Sequence, residues 1–398
     1  MISDTASLAA FCDRLKSAQF VTVDTEFMRE KTYWPQLCLV QVGGPDEARA
    51  IDPLAPGIDL QPLFDLMADT NVLKVFHAAR QDVEIFLHMA DAIPTPLFDT
   101  QVAAMVCGFG DAVGYETLAA QLARARIDKS LRFTDWAMRP LTDKQVQYAL
   151  ADVTHLRVAY EKLVRKLEKN GRLGWLTEEM AMLAHPGTYR VDPTDAWKRL
   201  KPRSSSSRFL AVLSELAAWR EREAQERDLP RQRVLRDETL MEIAAQHPSN
   251  TTELGRTRGI GKGLVEGRMG QSILEAVQRG LALPESQCPA PPDRVDLPKG
   301  LGPVVDLLKV LLKMKCDEHG VASKLVANVA DIESIAADDD ADVPALHGWR
   351  RELFGEDALR LKHGRIGLGF CTDGRRLRLA PLEPAEPTAV LSVADSAD

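Results

Sequence analysis

Short apolar runs alternate with stretches of helical period over the first half of the chain. The segments "QFVTVDT", "QLCLVQV", "ARAID", "NVLKVF" and "PLFDT" are separated by Pro and Gly and predict adjacent strands of one sheet. Between and after them, "LQPLFDLMA", "ARQDVEIFLHMA", "QVAAMV", "YETLAAQLAR" and the stretch from Thr142 to Glu168 predict helices, with Val83, Phe86 and Leu87 on one side of the second. A mixed sheet flanked by helices, an α/β domain over residues 1–184, is the expectation. A segment with three prolines and four consecutive serines follows at 185–207 and suits a linker. Strand signals then vanish. Helical patterns predict a small all-α bundle at 208–285, a Pro-rich connector at 286–299, a second, diverged helical domain at 300–372 and a disordered tail at 373–398.

Composition narrows the class without naming a function. The 398 residues are 45% hydrophobic and 27% charged, enough apolar material for two or three cores. The six cysteines are far apart and form no C-x-x-C pair, so reduced thiols are expected rather than a zinc site or disulfide framework. "MISDTASLAAFCDRL" lacks the basic-then-apolar pattern of a secretory signal, and no apolar run is long enough to span a bilayer. A cytoplasmic protein without a membrane partner is expected. No long apolar seam marks a dimer face, which favours a monomer.

The net charge of -8 argues weakly against a nucleic-acid partner, but the charge is uneven. Residues 198–236 carry eleven Lys/Arg against five Asp/Glu. Further on, "GRTRGIGKG" sets Arg256, Arg258 and Lys262 among glycines whose amides could approach phosphates. A solvated helix surface and a tight turn account for the same residues equally well.

Two carboxylates, Asp24 and Glu26, stand where the run Phe20–Asp24 should end. Such a pair is ordinarily solvated surface charge. On a strand, however, residues i and i+2 share a face, and two like charges beside a core raise each other's pKa unless a cation neutralises them. Hard oxygen ligands suit Mg²⁺ or Mn²⁺. Asp82 lies early in a helix, where it could simply complement the dipole. Tyr148 and Asp152 lie four apart on a later helix, hence on one face.

Together, D-x-E, a later Asp and Y-x-x-x-D resemble the motifs of the DEDD exonucleases, in the subgroup with a tyrosine beside the last aspartate. "VDTEFMREKTYWPQLCLVQVG", "HAARQDVEIF" and "DKSLRFTDWAMRPLTDKQVQYALADVTHL" resemble ribonuclease D, and the unit from Arg208 resembles the helicase-and-ribonuclease-D C-terminal domain. The resemblance implies a ribonuclease H-like fold, two divalent ions held by Asp24, Glu26, Asp82 and Asp152, and a water positioned by Tyr148. It implies hydrolysis of RNA from a single-stranded 3′ end to nucleoside 5′-monophosphates, with transfer RNA precursors as substrates. Ala78 departs from the Asn that many relatives carry after the motif histidine.

Around this set, Phe27 is the candidate for stacking on a base, and His77 is either a substrate contact or a hydrogen-bonded core residue. Asp99 is expected to cap the helix that follows it, and Asp128 and Lys129 to form a local ion pair. The acidic run Asp338, Asp339, Asp340 and Asp342 is expected to be a solvated loop. A DNA 3′-5′ exonuclease of the same superfamily, or a module that binds nucleic acid without cutting it, are the alternatives.

Overall fold

The computed structural model describes residues 1–382 except 128, 132, 133, 203, 291–297 and 299. Asp128, most of the proposed connector and the tail beyond 382 therefore lie outside the described residues. Two compact units are present.

The first unit holds residues 1–100, 119–161 and the described part of 178–294. Its sheet comprises β1 (Phe20–Met28), β2 (Gln36–Gly43), β3 (Ala48–Ile51), β4 (Leu73–Phe76) and β5 (Leu97–Asp99), in the order β3-β2-β1-β4-β5. Its helices begin with α1 (Thr5–Leu15), α2 (Gln61–Ala68) and α3 (Arg80–Ala90). After α4 (Thr100–Val106) come α5 (Tyr115–Ala123) and the long α6 (Asp143–Lys169). Helix α1 was not anticipated, although Asp4 accepts from Ser7 N at 2.8 Å and Leu8, Phe11, Cys12 and Leu15 form its buried stripe.

β1 does not end at Asp24, as its apolar run suggested. It continues to Met28 because β2 pairs antiparallel with it from Thr22 to Met28, across an irregularity between Glu26 and Phe27. Its parallel pairing with β4 stops at Thr22↔Val75. Beyond that register one edge of β1 is released from the ladder beside Asp24, at the point where the sheet changes from antiparallel to parallel neighbours. In α/β sheets this is where ligands bind.

The chain then runs through α7 (Thr177–Leu183) and two 3-10 turns (Pro186–Thr188, Pro193–Arg199) into the bundle of α8 (Ser207–Glu226), α9 (Arg231–Val234), α10 (Asp237–Gln246), α11 (Thr251–Leu254), α12 (Lys262–Val265) and α13 (Arg268–Ala282). Residues 186–199, within the expected linker, form a strap pinned at two points. Tyr189 lies buried in the sheet domain's core and Trp197 in the bundle's. The Pro and Ser content of 185–207 obscured these two aromatic anchors. A second tie is the Tyr33 phenol, which donates to the buried Glu221 and accepts from Arg231 Nη2 (2.9 Å), while Asp228 accepts from the backbone N–H of Tyr33 and Trp34.

The second unit contains residues 101–118, 162–177 and the described part of 295–398, so it is wider than the segment 300–372. It adds α14 (Gly302–His319), α15 (Ser323–Val326), α16 (Val329–Ala337), α17 (Gly348–Arg350), a π-helical turn (Arg351–Gly355) and α18 (Glu356–Lys362). These helices lean on earlier residues. Arg172 Nη1 donates to His319 O (2.8 Å), Trp175 stacks on Trp349 (4.2 Å between centroids), and Gly108, at φ 82°, approaches Gly320 so closely that a Cβ would stand 2.7 Å from its carbonyl oxygen. The unit is not all-α. β6 (Ile366–Phe370) and β7 (Leu377–Pro381) form an antiparallel hairpin, which also replaces the first part of the expected disordered tail. The acidic run lies in a largely exposed loop, where Asp339 pairs with Lys362 and His363 and Asp342 faces His347.

Candidate active site

Alternation along β1 puts Asp24 and Glu26 on one face. α6 crosses to meet them. Thr22 Oγ1 donates to Val153 O at 2.8 Å, tying β1 to α6 one residue from Asp152. Gly43 allows this approach, since a Cβ there would lie 2.5 Å from Thr22 Oγ1 and 3.3 Å from Val153. Ligand oxygens of Asp24, Glu26 and Asp152 consequently lie within 4.8 Å of one another. Two bonds of about 2.1–2.4 Å to a shared hard cation span nearly that separation.

Asp82 comes from the first turn of α3 and is buried. It accepts a short hydrogen bond from Thr25 Oγ1, the residue between the two motif carboxylates. Its helix starts from a constrained turn. Ala78 sits at φ 58°, and the Asp99 carboxylate accepts from Ala78 N (3.0 Å) and Ala79 N (2.8 Å). Asp99 thus supports the N-terminus of α3. The left-handed turn suits Asn better than Ala, so Ala78 holds it at a cost in strain.

Electrostatics marks Asp24, Asp82 and Asp152 as short of positive charge. Burial pushes Asp24 up to about 6. Burial and then the charge of Asp24 raise Asp152 to about 8 and hold Asp82 well above the usual carboxylate range. Asp24 is the common neighbour of both. An all-oxygen donor set, buried and mutually repelling, fits a hard divalent cation. Among the described residues no other cluster of three such ligands converges as closely.

Tyr148 lies one turn before Asp152 on α6, half-buried, with its ring 6.2 Å from that of Trp136. The loop leading into α6 is fastened by a group that no motif revealed. Arg139 donates through Nε (2.8 Å) and Nη2 (2.7 Å) to both oxygens of Asp52 and reaches the carbonyls of Cys38, Trp136 and Met138. Of the suggested substrate contacts, His77 is half-buried with Nδ1 3.0 Å from Thr100 Oγ1, and Phe27 packs partly against the sheet core. Arg256, Arg258 and Lys262 are exposed on the bundle and do not belong to the carboxylate cluster.

A 3′-5′ exonuclease family model matches residues 1–168 and an HRDC domain model matches 209–277. Ribonuclease D of Granulibacter bethesdensis is 52% identical over 95% of this chain and 96% of its own. The chain belongs to the ribonuclease D family. Ribonuclease D of Nitrobacter hamburgensis is likewise 52% identical, over 95% of this chain and 99% of its own. The crystal structure of Escherichia coli RNase D, described as an exoribonuclease involved in structured RNA processing, superposes with a TM-score of 0.78 at 32% identity, covering 90% of this chain and 96% of that one. The chain is accordingly a 3′-5′ exoribonuclease with an α/β exonuclease domain followed by helical domains. Among the described residues no helix is long and apolar enough to cross a membrane.

Proposed function

We propose that this exoribonuclease hydrolyses RNA one nucleotide at a time from a single-stranded 3′ end, releasing nucleoside 5′-monophosphates with two divalent cations, Mg²⁺ or Mn²⁺. The observation that carries this reading is the convergence of Asp24, Glu26 and Asp152 within 4.8 Å, with Asp82 close enough for the charge of Asp24 to raise its pKa. Bound cations would offset the phosphate's charge, acidify a water and stabilise the departing oxygen.

The residues divide that work by position. Asp24, whose charge acts on both Asp82 and Asp152, would hold divalent ions together with them, and Glu26 would contribute beside Asp152. Tyr148 would orient the attacking water through its phenolic hydroxyl. Thr25 limits the directions in which Asp82 can point. Transfer RNA precursors with 3′ extensions are the proposed substrates, in keeping with the structured-RNA role stated for the Escherichia coli relative.

The test uses 5′-labelled RNA with a single-stranded 3′ tail, with Mg²⁺, with Mn²⁺ or with EDTA, beside Asp152→Ala. A metal-dependent ladder shrinking from the 3′ end, absent in the variant, is expected. Equal cleavage in EDTA, or full activity of Asp152→Ala, would overturn the assignment.

A further inference from the structure

Where the sheet domain meets the bundle, within the first unit, a cleft of about 180 Å³ is lined by Arg29, Arg80, Arg199 and Arg231, with Glu84 the lone lining carboxylate. A second cleft of about 450 Å³ shares Arg29, Tyr33, Arg199 and Arg231 with it, so the two form one groove. Two of these arginines are already neutralised. Arg29 makes a two-pronged pair with Glu84 (2.7 and 2.8 Å), and Arg231 does the same with the buried Glu221 (2.5 Å each). Arg220, in the second cleft, is paired with Asp237 at 2.6 Å.

Arg80 and Arg199 differ. Both are exposed, and neither makes an ion pair of 4.0 Å or less among the described residues, although the charge of Arg199 reaches Glu221. Arg80 is steadied without being discharged. Its Nη2 donates to Thr188 O (3.1 Å), and its guanidinium lies 6.0 Å from the Tyr189 ring. Arg199 comes from the strap that the buried Trp197 anchors two residues earlier. The groove therefore holds a surplus of two positive charges in a concave surface. Guanidinium groups bind phosphate oxygens through paired donors, and a phosphate is the anion this geometry suits.

The source of the phosphate follows from the flanking residues. Arg29 is three residues beyond Glu26, and Arg80 two residues before Asp82. An RNA strand whose 3′ end lies at those carboxylates must carry its next phosphates away along neighbouring surface. A groove made of two joined clefts suits an extended polyanion better than a single nucleotide. We infer that Arg80 and Arg199 hold a backbone phosphate of the RNA upstream of the scissile link. The inference rests on the proposed placement of the 3′ end.

Fluorescence anisotropy of a ten-nucleotide single-stranded RNA in EDTA, where no turnover occurs, tests it. R80Q/R199Q should weaken Kd about tenfold, the order expected for losing charge-assisted contacts to one phosphate. It should also reduce the slope of log Kd against log salt by about 0.7, the release expected for one single-strand phosphate. R80K/R199K should keep that slope. Replacing upstream phosphates singly by neutral methylphosphonates should identify one position that weakens wild-type binding and leaves R80Q/R199Q unchanged. Unaltered Kd and salt slope in a normally melting R80Q/R199Q would overturn the inference. So would a flat methylphosphonate scan together with competition by 5′-AMP that the substitutions abolish, because the groove would then hold product. Failure of the underlying functional reading is separate: wild type would leave the RNA uncut in Mg²⁺ and Mn²⁺.

Discussion

Asp99→Asn is a stringent test of how the second carboxylate segment is built. The wild-type carboxylate, itself buried, accepts two backbone N–H bonds, from the exposed Ala78 (3.0 Å) and the buried Ala79 (2.8 Å). Asparagine has nearly the same shape but only one acceptor oxygen, and its amide donors would face an N–H. The change therefore loses one charge-assisted bond, weakens the other and strands a buried donor, about 3 kcal/mol together. Part of that loss reflects the conformation being held, because Ala78 at φ 58° carries strain of roughly 1 kcal/mol. Ala78→Gly removes the strain and adds unfolded-chain entropy of similar size, so alone it should move stability by less than about 1 kcal/mol. Combined with Asp99→Asn, it should recover about 1 kcal/mol, since glycine takes the turn without being held there. Urea unfolding of the four proteins in EDTA measures the cycle. A loss below about 1 kcal/mol for Asp99→Asn, or strict additivity of the two changes, would refute the account of the turn.

Two further outcomes follow from the site. With EDTA present, stability should fall as pH rises from about 5 to 8. The folded state retains protons on Asp24 (about 6) and Asp152 (about 8) that the unfolded chain has already released above its ordinary carboxylate pKa. Mg²⁺ or Mn²⁺ should reverse the fall by binding the deprotonated cluster, and thermal melts at pH 5 and pH 8 that show no metal-dependent difference would contradict it. Arg139→Ala should cost about 3 kcal/mol, because it strands the buried Asp52 carboxylate. Arg139→Lys should retain part of the stability; equal urea midpoints for wild type and Arg139→Ala would rule out this clamp.

The elements that the sequence made legible are those whose information is local. Alternation and helical period located all five strands of the sheet, α2 to α6 and the longer bundle helices, though not the short α9, because burying one face imposes a short-range pattern. The acidic residues could be singled out because three motif segments keep recognisable neighbours in order, and the family comparison agrees with that resemblance. Local pattern also misled. Proline and serine at 185–207 concealed the strap at 186–199, and the glycine-bearing β6 lacked the apolar weight of a typical strand.

Tertiary structure alone decided the rest. Thr25 becomes a partner of Asp82 across 57 residues, Arg139 a clamp on Asp52 across 87, and Tyr33 a plug onto Glu221 across 188. Asp99 supports the start of a helix some twenty residues earlier in the chain, a role its place before its own helix does not suggest. In each case the side chain's chemistry was visible in the sequence, but its partner was not. A hydrogen bond depends on separation and direction in space, and neither is encoded in residue spacing once the chain has left one helix or strand. Sequence thus determined which segments form the sheet and which carboxylates belong to the motifs; packing of α6 and α3 around the released edge of β1 decided that those charges meet.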